Sequence, residues 1–230
     1  MSAPRELLRA GSIRCWSVGR DLDGEPFDAR ETRDVSRLAR RLGWDAPPRQ
    51  AVQEHGTGID PDGTSPVCDA FLLGPATCAL VRHADCFPVV VADPAGNRAV
   101  LAHCGWRGTL AGLAGLGVRR LVDSGSRPED IVAAIGAGIG AESFEVGPEV
   151  LQRFPSRFHA KTVRGTPSID LASFLREDLL EAGASAVEIR APDTFAQADW
   201  HSYRRDGGHS GRNATICIVE ASESQPGESR

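Results

Sequence analysis

Apolar residues recur at two different spacings along this chain, and the change of spacing separates its strands from its helices. Three runs rich in Val, Leu and Ala predict strands: Ala79–His83, Pro88–Ala92 and Ala99–His103. The segment DPAGN between the last two runs has the composition of a turn. If Val89 to Ala92 pairs antiparallel with Ala99 to Ala102, the resulting hairpin brings Cys86 and His103 to the same end of a sheet.

Helical spacing predicts two longer helices. One covers Asp34–Leu42 and stops at Gly43, and the other covers Ile169–Ala182 and stops at Gly183. The apolar face expected for the second helix consists of Leu171, Phe174, Leu175, Leu179 and Leu180. Further elements are a short helix at Val146–Phe154 and strands at Ile131–Ile135, Val187–Ile189 and Ala214–Val219. Helices interspersed with hairpin-like strands favour an α+β fold with a mixed sheet and helices packed outside it.

Composition narrows the class of protein. The 230 residues suffice for one core, so we expect a single domain over residues 1–221 and a disordered polar tail over 222–230. The net charge of −5 has no basic stripe, which counts against nucleic-acid binding, and no apolar run reaches membrane-spanning length. Six cysteines at irregular positions favour reduced thiols and a cytoplasmic location.

The candidate chemistry lies at the open end of the predicted hairpin. Cys86 and His103, with His55 upstream, would supply three of the four ligands that zinc takes, leaving one position open. Singly, each is more often a loop histidine or a small buried thiol, and only their joint occurrence changes this balance. His83 is expected to be a strand-end histidine bonded to Asp85, and Cys104 to pack in the core.

Several longer phrases resemble the laccase-domain family, also called multicopper polyphenol oxidase-like proteins or peptidoglycan editing factors. The phrases are QEHG (53–56), HADCFPV (83–89), AHCGWRG (102–108), IGAGIGAESFEVG (135–147), IDL (169–171) and SYRRDGGHSGRNAT (202–215). The resemblance implies a single-domain mixed β-sandwich flanked by helices. It also implies a zinc site formed by His55, Cys86 and His103, and phosphorolysis of adenosine, inosine and methylthioadenosine together with adenosine deamination.

Further residues follow from the chemistry that such a site would need. Asp85 is the nearest proton carrier in sequence, with Glu54 second, and Arg107, Arg204 and Arg205 are the candidates for binding phosphate. Such a protein would act on a small purine nucleoside with phosphate, as a monomer or small homo-oligomer.

Three alternatives stay open at this point. Without metal, Cys86 and His103 could act as a thiolate–imidazole pair that hydrolyses cell-wall precursors. The metal could instead only hold the hairpin to the His55 loop. A copper-dependent polyphenol oxidase is a weaker hypothesis, because a multicopper enzyme needs four coppers and the sequence has six histidines with no His-x-His pair. A single His, His and thiolate site could still bind copper.

Overall fold

The computed structural model describes residues 3–221, so the tail expected to be disordered lies outside the described residues. The strands are β1 (Arg5–Ala10), β2 (Ile13–Val18), β3 (Asp21–Leu22), β4 (Glu25–Pro26), β5 (Ile59–Asp60), β6 (Ala70–Leu73), β7 (Thr77–His83), β8 (Phe87–Asp93), β9 (Arg98–Cys104), β10 (Val132–Ile135), β11 (His159–Lys161), β12 (Pro167–Ile169), β13 (Ala186–Ile189) and β14 (Asn213–Val219). The helices are α1 (Thr32–Arg41), α2 (Trp106–Leu110), α3 (Leu113–Asp123), α4 (Pro148–Leu151), α5 (Leu171–Glu181) and α6 (Tyr203–Asp206).

Two sheets carry most of these strands. One has the order β1-β2-β14-β7 and is antiparallel throughout; the other has the order β13-β10-β8-β9-β6-β5. The second sheet is mixed, because β10 pairs with β13 and β5 with β6 in parallel while its other pairs are antiparallel. Short two-stranded sheets join β3 to β4 and β11 to β12. The expected mixed sheet is confirmed.

Strand β8 shows how the layers stack. All seven of its residues are buried, because successive side chains alternate between two covered faces. Val90 and Ala92 belong to the core between the two sheets, together with Val81 and Cys217 of the first sheet. Val89, in contrast, lies in a second core on the opposite face, which also contains the buried residues of α3 and α5.

A third core covers the outer face of the first sheet. There Val35 and Leu38 of α1 pack with Trp16 and Ile216. The layers therefore run helix, sheet, sheet, helix, and the expected α+β sandwich flanked by helices is confirmed. Among residues 3–221 no helix is both long and apolar enough to cross a membrane.

The helix boundaries differ from the sequence expectation in small ways with clear causes. Helix α1 begins at Thr32 and ends before Gly43, which has a φ of +82°. Helix α5 begins at Leu171, because Asp170 caps it by accepting a hydrogen bond from the Ser173 amide at 3.0 Å. The predicted apolar face of α5 is wrong at Leu180, which is 36% exposed because it lies on the solvent side of the helix.

Candidate metal centre and its cavity

The hairpin formed by β8 and β9 positions two of the candidate ligands. Its register pairs Pro88 with His103 and Phe87 with Cys104, so Cys86, one residue before β8, lies at the same end as His103. The predicted pairing of Val89–Ala92 with Ala99–Ala102 is confirmed. Cys104 points away from the site into the core, as expected.

His55 reaches this end of the hairpin from the loop between α1 and β5. The loop is held by Gln53, whose side chain exchanges two hydrogen bonds with the backbone of Arg82, at 2.8 and 2.9 Å. The side-chain amide of Gln53 thus bonds the edge of β7 in the way that the backbone of a neighbouring strand would. His55 itself has a φ of +63°, a left-handed conformation that turns the chain sharply at the ligand.

His55, Cys86 and His103 form a group whose ligand atoms all lie within 4.8 Å of one another. The rings of His55 and His103 meet edge to face, with centroids 4.9 Å apart. Gly105 makes this approach feasible, because a Cβ there would lie 2.6 Å from His55 Cδ2 and 3.2 Å from Cys86 Sγ. Two imidazole nitrogens and one thiolate are ligands that zinc accepts, and copper as well.

Asp69 hydrogen-bonds to the His103 ring and to the loop that carries His55, and sequence reasoning missed this residue. Its Oδ1 accepts hydrogen bonds from His103 Nδ1 at 2.9 Å and from the His55 amide at 3.0 Å. Its Oδ2 accepts from the amides of Gly56 at 2.7 Å and Glu54 at 3.3 Å. With Nδ1 of His103 donating to the carboxylate, Nε2 is the nitrogen left to bind a metal. One buried carboxylate therefore orients a ligand and holds the loop that carries another.

The charges in the group reinforce one another. Burial raises the pKa of the Cys86 thiol, but the charge of His103 and hydrogen bonds from His103 and His55 outweigh it and lower that pKa to about 6. Burial lowers the pKa of His103, but Cys86 and Asp69 outweigh it and raise that pKa to about 9. In metal-free protein the pair is therefore a thiolate and an imidazolium near neutral pH.

A cavity of about 610 Å³ opens over the group, and all three candidate ligands line it. Its wall includes the apolar side chains of Ile139 and Phe144, both from the glycine-rich phrase, and Asp85 is the carboxylate among its described lining residues. Gly138 lets this wall close on the hairpin, because a Cβ there would lie 2.4 Å from the Phe87 ring. Gly138, in the glycine-rich phrase IGAGIGAESFEVG (135–147), thus serves packing. The phrase has no Lys-Ser or Lys-Thr ending of a phosphate loop.

Four arginines line the same cavity: Arg30, Arg82, Arg204 and Arg212. Arg30 is paired with Asp28 at 2.6 Å. The guanidinium groups of the other three donate to backbone carbonyls, of Ala51, of Glu145, and of Ser210 with Gly211. Within residues 3–221 none of these three forms a salt bridge. Their charge is therefore available to an anion in the cavity.

The arginines chosen from sequence fall in three different places. Arg204 lines the cavity. Arg107 is not among the lining residues, and its guanidinium stacks on the Trp106 ring at 4.3 Å from the ring centroid. Arg205 is outside the lining as well, and donates to the carbonyls of Thr194, Phe195, Gln197 and Trp200. Sequence reasoning missed Arg82 and Arg212, although a charged residue at the end of the apolar run ALVRH was an available signal for Arg82.

Asp85 lines the cavity but does not bond His83, so that expectation is wrong. Asp85 has a φ of +88°, and its carboxylate accepts from Thr194 Oγ1 at 2.8 Å and from the Arg204 amide at 2.7 Å. His83 instead bonds Thr215 Oγ1 through Nε2 at 3.0 Å. Asp85 thereby connects the Cys86 loop to the start of α6.

An α+β sandwich with a His, Cys and His group facing a cationic cavity is the arrangement expected of a protein with a metal site. Sequence comparison identifies the family. The sequence profile described as multi-copper polyphenol oxidoreductase laccase matches residues 25–220. The chain belongs to this family. Among residues 3–221, one group of His, Cys, Asp or Glu side chains could hold a metal ion. It is the His55, Cys86 and His103 group, which offers three donor atoms.

Several relatives carry more specific names. The chain is 32% identical over 231 residues to a purine nucleoside phosphorylase of Deinococcus radiodurans, covering 96% of this chain and 91% of that protein. It is 32% identical over 145 residues to adenosine deaminase RL5 from an unknown prokaryotic organism, covering 59% and 55%. A crystal structure of a Neisseria meningitidis protein superposes with a TM-score of 0.80 at 22% identity, covering 96% of this chain and all of that one.

Proposed function

We propose that this protein is a zinc-dependent purine nucleoside phosphorylase acting on adenosine, inosine and methylthioadenosine, with adenosine deaminase activity. The observation that carries the proposal is the His55, Cys86 and His103 group in the lining of a cavity. The same lining holds three arginines that have no carboxylate partner among residues 3–221. Relatives named purine nucleoside phosphorylase and adenosine deaminase support it.

The ligand group fits zinc by its donors. The bond from His103 Nδ1 to Asp69 leaves Nε2 as the nitrogen that would bind the metal, and the low pKa of Cys86 favours the thiolate that metal binding requires. When bound, zinc would supply a Lewis acid in contact with the cavity. Copper is the alternative occupant, because it outranks zinc in intrinsic affinity for such donors.

The cavity's own residues would bind and orient the substrates. Arg82, Arg204 and Arg212 would hold phosphate, since a guanidinium donates paired, charge-assisted hydrogen bonds to its oxygens. In phosphorolysis a phosphate oxygen bonds C1′ of the ribose, the C1′–N bond breaks with its electron pair on the purine, and the purine takes up a proton. We assign this proton transfer to Asp85, the carboxylate of the cavity lining, which would relay a proton from water to the purine. It would also serve deamination, in which water adds at C6, a proton of that water passes to the amino nitrogen, and ammonia leaves.

A product analysis tests the proposal. Zinc-loaded protein is incubated with adenosine, with and without phosphate, and the products are resolved by chromatography and mass spectrometry. We expect phosphate-dependent adenine and ribose 1-phosphate, some inosine independent of phosphate, and neither product with Cys86→Ala. Unchanged adenosine under both conditions would overturn the proposal.

One observation favours a second candidate, a hydrolase of cell-wall precursors that uses Cys86 as its nucleophile. A thiolate beside the His103 imidazolium is the arrangement such chemistry requires. This candidate predicts activity that survives removal of zinc and is abolished by a thiol alkylator. The phosphorylase proposal predicts that chelation and alkylation both abolish turnover.

We also propose that residues 1–221 act as one catalytic domain in the cytoplasm, as a monomer or small homo-oligomer. All six cysteines are free thiols, which supports a reducing compartment.

A further inference from the structure

His83 lines the same cavity but does not belong to the candidate ligand group. It is 1% exposed, at the end of β7, and it faces Asn213 across the pairing with β14. Its Nε2 shares a hydrogen bond with Thr215 Oγ1 at 3.0 Å, and Thr215 Oγ1 in turn shares one with Ser17 Oγ at 2.8 Å. This chain of hydroxyl groups fixes the plane of the imidazole.

The other ring nitrogen of His83 is left over. Nδ1 is buried and has no hydrogen-bond partner among residues 3–221. Buried polar atoms are rarely left unpaired in folded proteins, because each costs the free energy of its lost hydration. His83 is one of the residues that line the cavity. An unpaired, buried nitrogen on such a residue is the feature expected of a group that a small shift of the side chain pairs with a bound ligand.

The partners of His83 also define which ligand atoms Nδ1 could accept. Burial lowers the pKa of His83 to about 3, with further lowering by His103 and His201, so the ring is neutral. Thr215 can either accept a hydrogen bond from Nε2 or donate one to it. In the first case Nδ1 presents a lone pair, and in the second it presents an N–H group. An amino group or a ring nitrogen can therefore be bound equally well.

We propose that His83 Nδ1 hydrogen-bonds the purine base of the bound nucleoside and so acts as a specificity residue. This inference rests on the proposed function. The arginines of the cavity suit phosphate, whereas a neutral ring that can donate or accept suits a purine edge, where donors and acceptors alternate. A 6-amino and a 6-oxo purine would each be bound by one of the two tautomers.

Two amide substitutions at His83 test the roles of its two ring nitrogens one at a time. His83→Asn places an amide group near the position of Nδ1, and His83→Gln places one near the position of Nε2. We expect His83→Gln to lower kcat/KM for adenosine and inosine by roughly 3- to 10-fold, the scale of one lost hydrogen bond between uncharged groups, mainly through KM. His83→Asn should recover most of that loss. Purine riboside, which lacks a 6-substituent, should show a smaller difference between the two variants.

His201 is a matched control. Its Nε2 is bonded to Phe27 O at 2.9 Å, and its Nδ1 is also buried without a partner among the described residues. It does not line the cavity. His201→Gln should leave KM for every nucleoside unchanged. Zinc content and the melting temperature are measured for all variants, so that a change in KM is compared only among folded, loaded proteins.

A structural explanation of Nδ1 gives a different result. Within residues 3–221, Trp200 Nε1 is also buried without a partner, and the centroid of its ring lies 6.4 Å from that of His83. If Nδ1 serves only this pair, His83→Gln and Trp200→Phe will lower the melting temperature and leave KM unchanged, which overturns the inference. If wild-type protein neither binds nor converts adenosine, by calorimetry and product analysis, the proposed function fails and this inference fails with it. Conversion by wild type with an unchanged KM in His83→Gln overturns this inference alone.

Discussion

Asp69 accepts a hydrogen bond from Nδ1 of His103 at 2.9 Å while the same carboxylate accepts the amide of His55 at 3.0 Å. One side chain thus sets the ring orientation of one candidate ligand and the backbone conformation of another. The segments that carry these two candidate ligands are far apart in sequence, and Asp69 hydrogen-bonds to both of them.

Removing this carboxylate should weaken metal binding without removing a ligand. We expect Asp69→Asn to lower zinc affinity roughly 10- to 100-fold, the usual effect of losing a partner that orients a ligand. The amide that replaces Oδ2 would face the Gly56 and Glu54 amides, which are donors as well. Competition with a chromophoric chelator measures the change. Asp93→Asn, a buried carboxylate at the far end of the hairpin, is the matched control, and equal affinities in both variants would contradict this role.

Adding a methyl group at Gly105 should disturb the candidate metal centre. Gly105→Ala places a Cβ 2.6 Å from His55 Cδ2 and 3.2 Å from Cys86 Sγ, so His55 must move away from the other ligands. We expect substoichiometric zinc and a lower melting temperature, measured by elemental analysis and calorimetry. At Gly74 an added Cβ meets nothing within 4 Å, and Gly74→Ala should retain full zinc. Full zinc in Gly105→Ala would show that the site is looser than the structure indicates.

The low pKa of Cys86 predicts selective alkylation of metal-free protein. A depressed thiol pKa keeps the reactive thiolate at acidic pH and loses it only as the pH falls through about 6. Iodoacetamide should therefore label Cys86 at pH 6.5, while Cys68, whose pKa burial raises to about 11, stays unlabelled. Peptide mass spectrometry measures both sites.

The cause of that low pKa can be removed separately. The charge of His103 is the largest lowering influence, so His103→Asn should move the pH midpoint of Cys86 labelling upward. Zinc should suppress labelling in wild type. A wild-type midpoint near the ordinary thiol value of about 8.5 would contradict the thiolate–imidazolium pair.

Steady-state kinetics can distinguish the arginines that line the cavity from Arg107, which does not line it. We expect Arg82→Gln and Arg204→Gln to raise KM for phosphate by about tenfold or more, because each removes a charge-assisted hydrogen bond. Arg107→Gln should change it little, since Arg107 stacks on Trp106 outside the cavity lining. Initial rates at varied phosphate measure this. A larger effect at Arg107 than at Arg82 would restore the assignment made from sequence.

Much of the fold could be predicted because its central strands are short, nearly continuous apolar runs between turn residues. The register of β8 with β9 follows from apolar runs around a turn rich in Pro, Gly and Asn, and it placed Cys86 near His103. Strands β1 and β2 were not predicted, because Arg5, Arg9 and Arg14 interrupt their apolar pattern. Their burial depends on partners far along the chain, such as β14.

The site was predictable where chemistry depends on residue type, and not where it depends on distance. His55, Cys86 and His103 are candidate ligands by residue type and were proposed from their motifs. Asp69 resembles any other buried aspartate in sequence, and only its bonds to two separate segments distinguish it. Arg204 and Arg205 carry the same charge. Arg204 lines the cavity, whereas Arg205 donates to four backbone carbonyls outside it.

The central claim is that His55, Cys86 and His103 hold a zinc ion that faces the nucleoside cavity. X-ray absorption at the zinc edge of the purified protein tests it most directly. We expect one zinc per chain, with one sulfur ligand at about 2.3 Å and two imidazole nitrogens at about 2.0–2.1 Å. The sulfur shell should vanish in Cys86→Ala. A zinc shell without sulfur in wild type, or one unchanged in that variant, would contradict the claim.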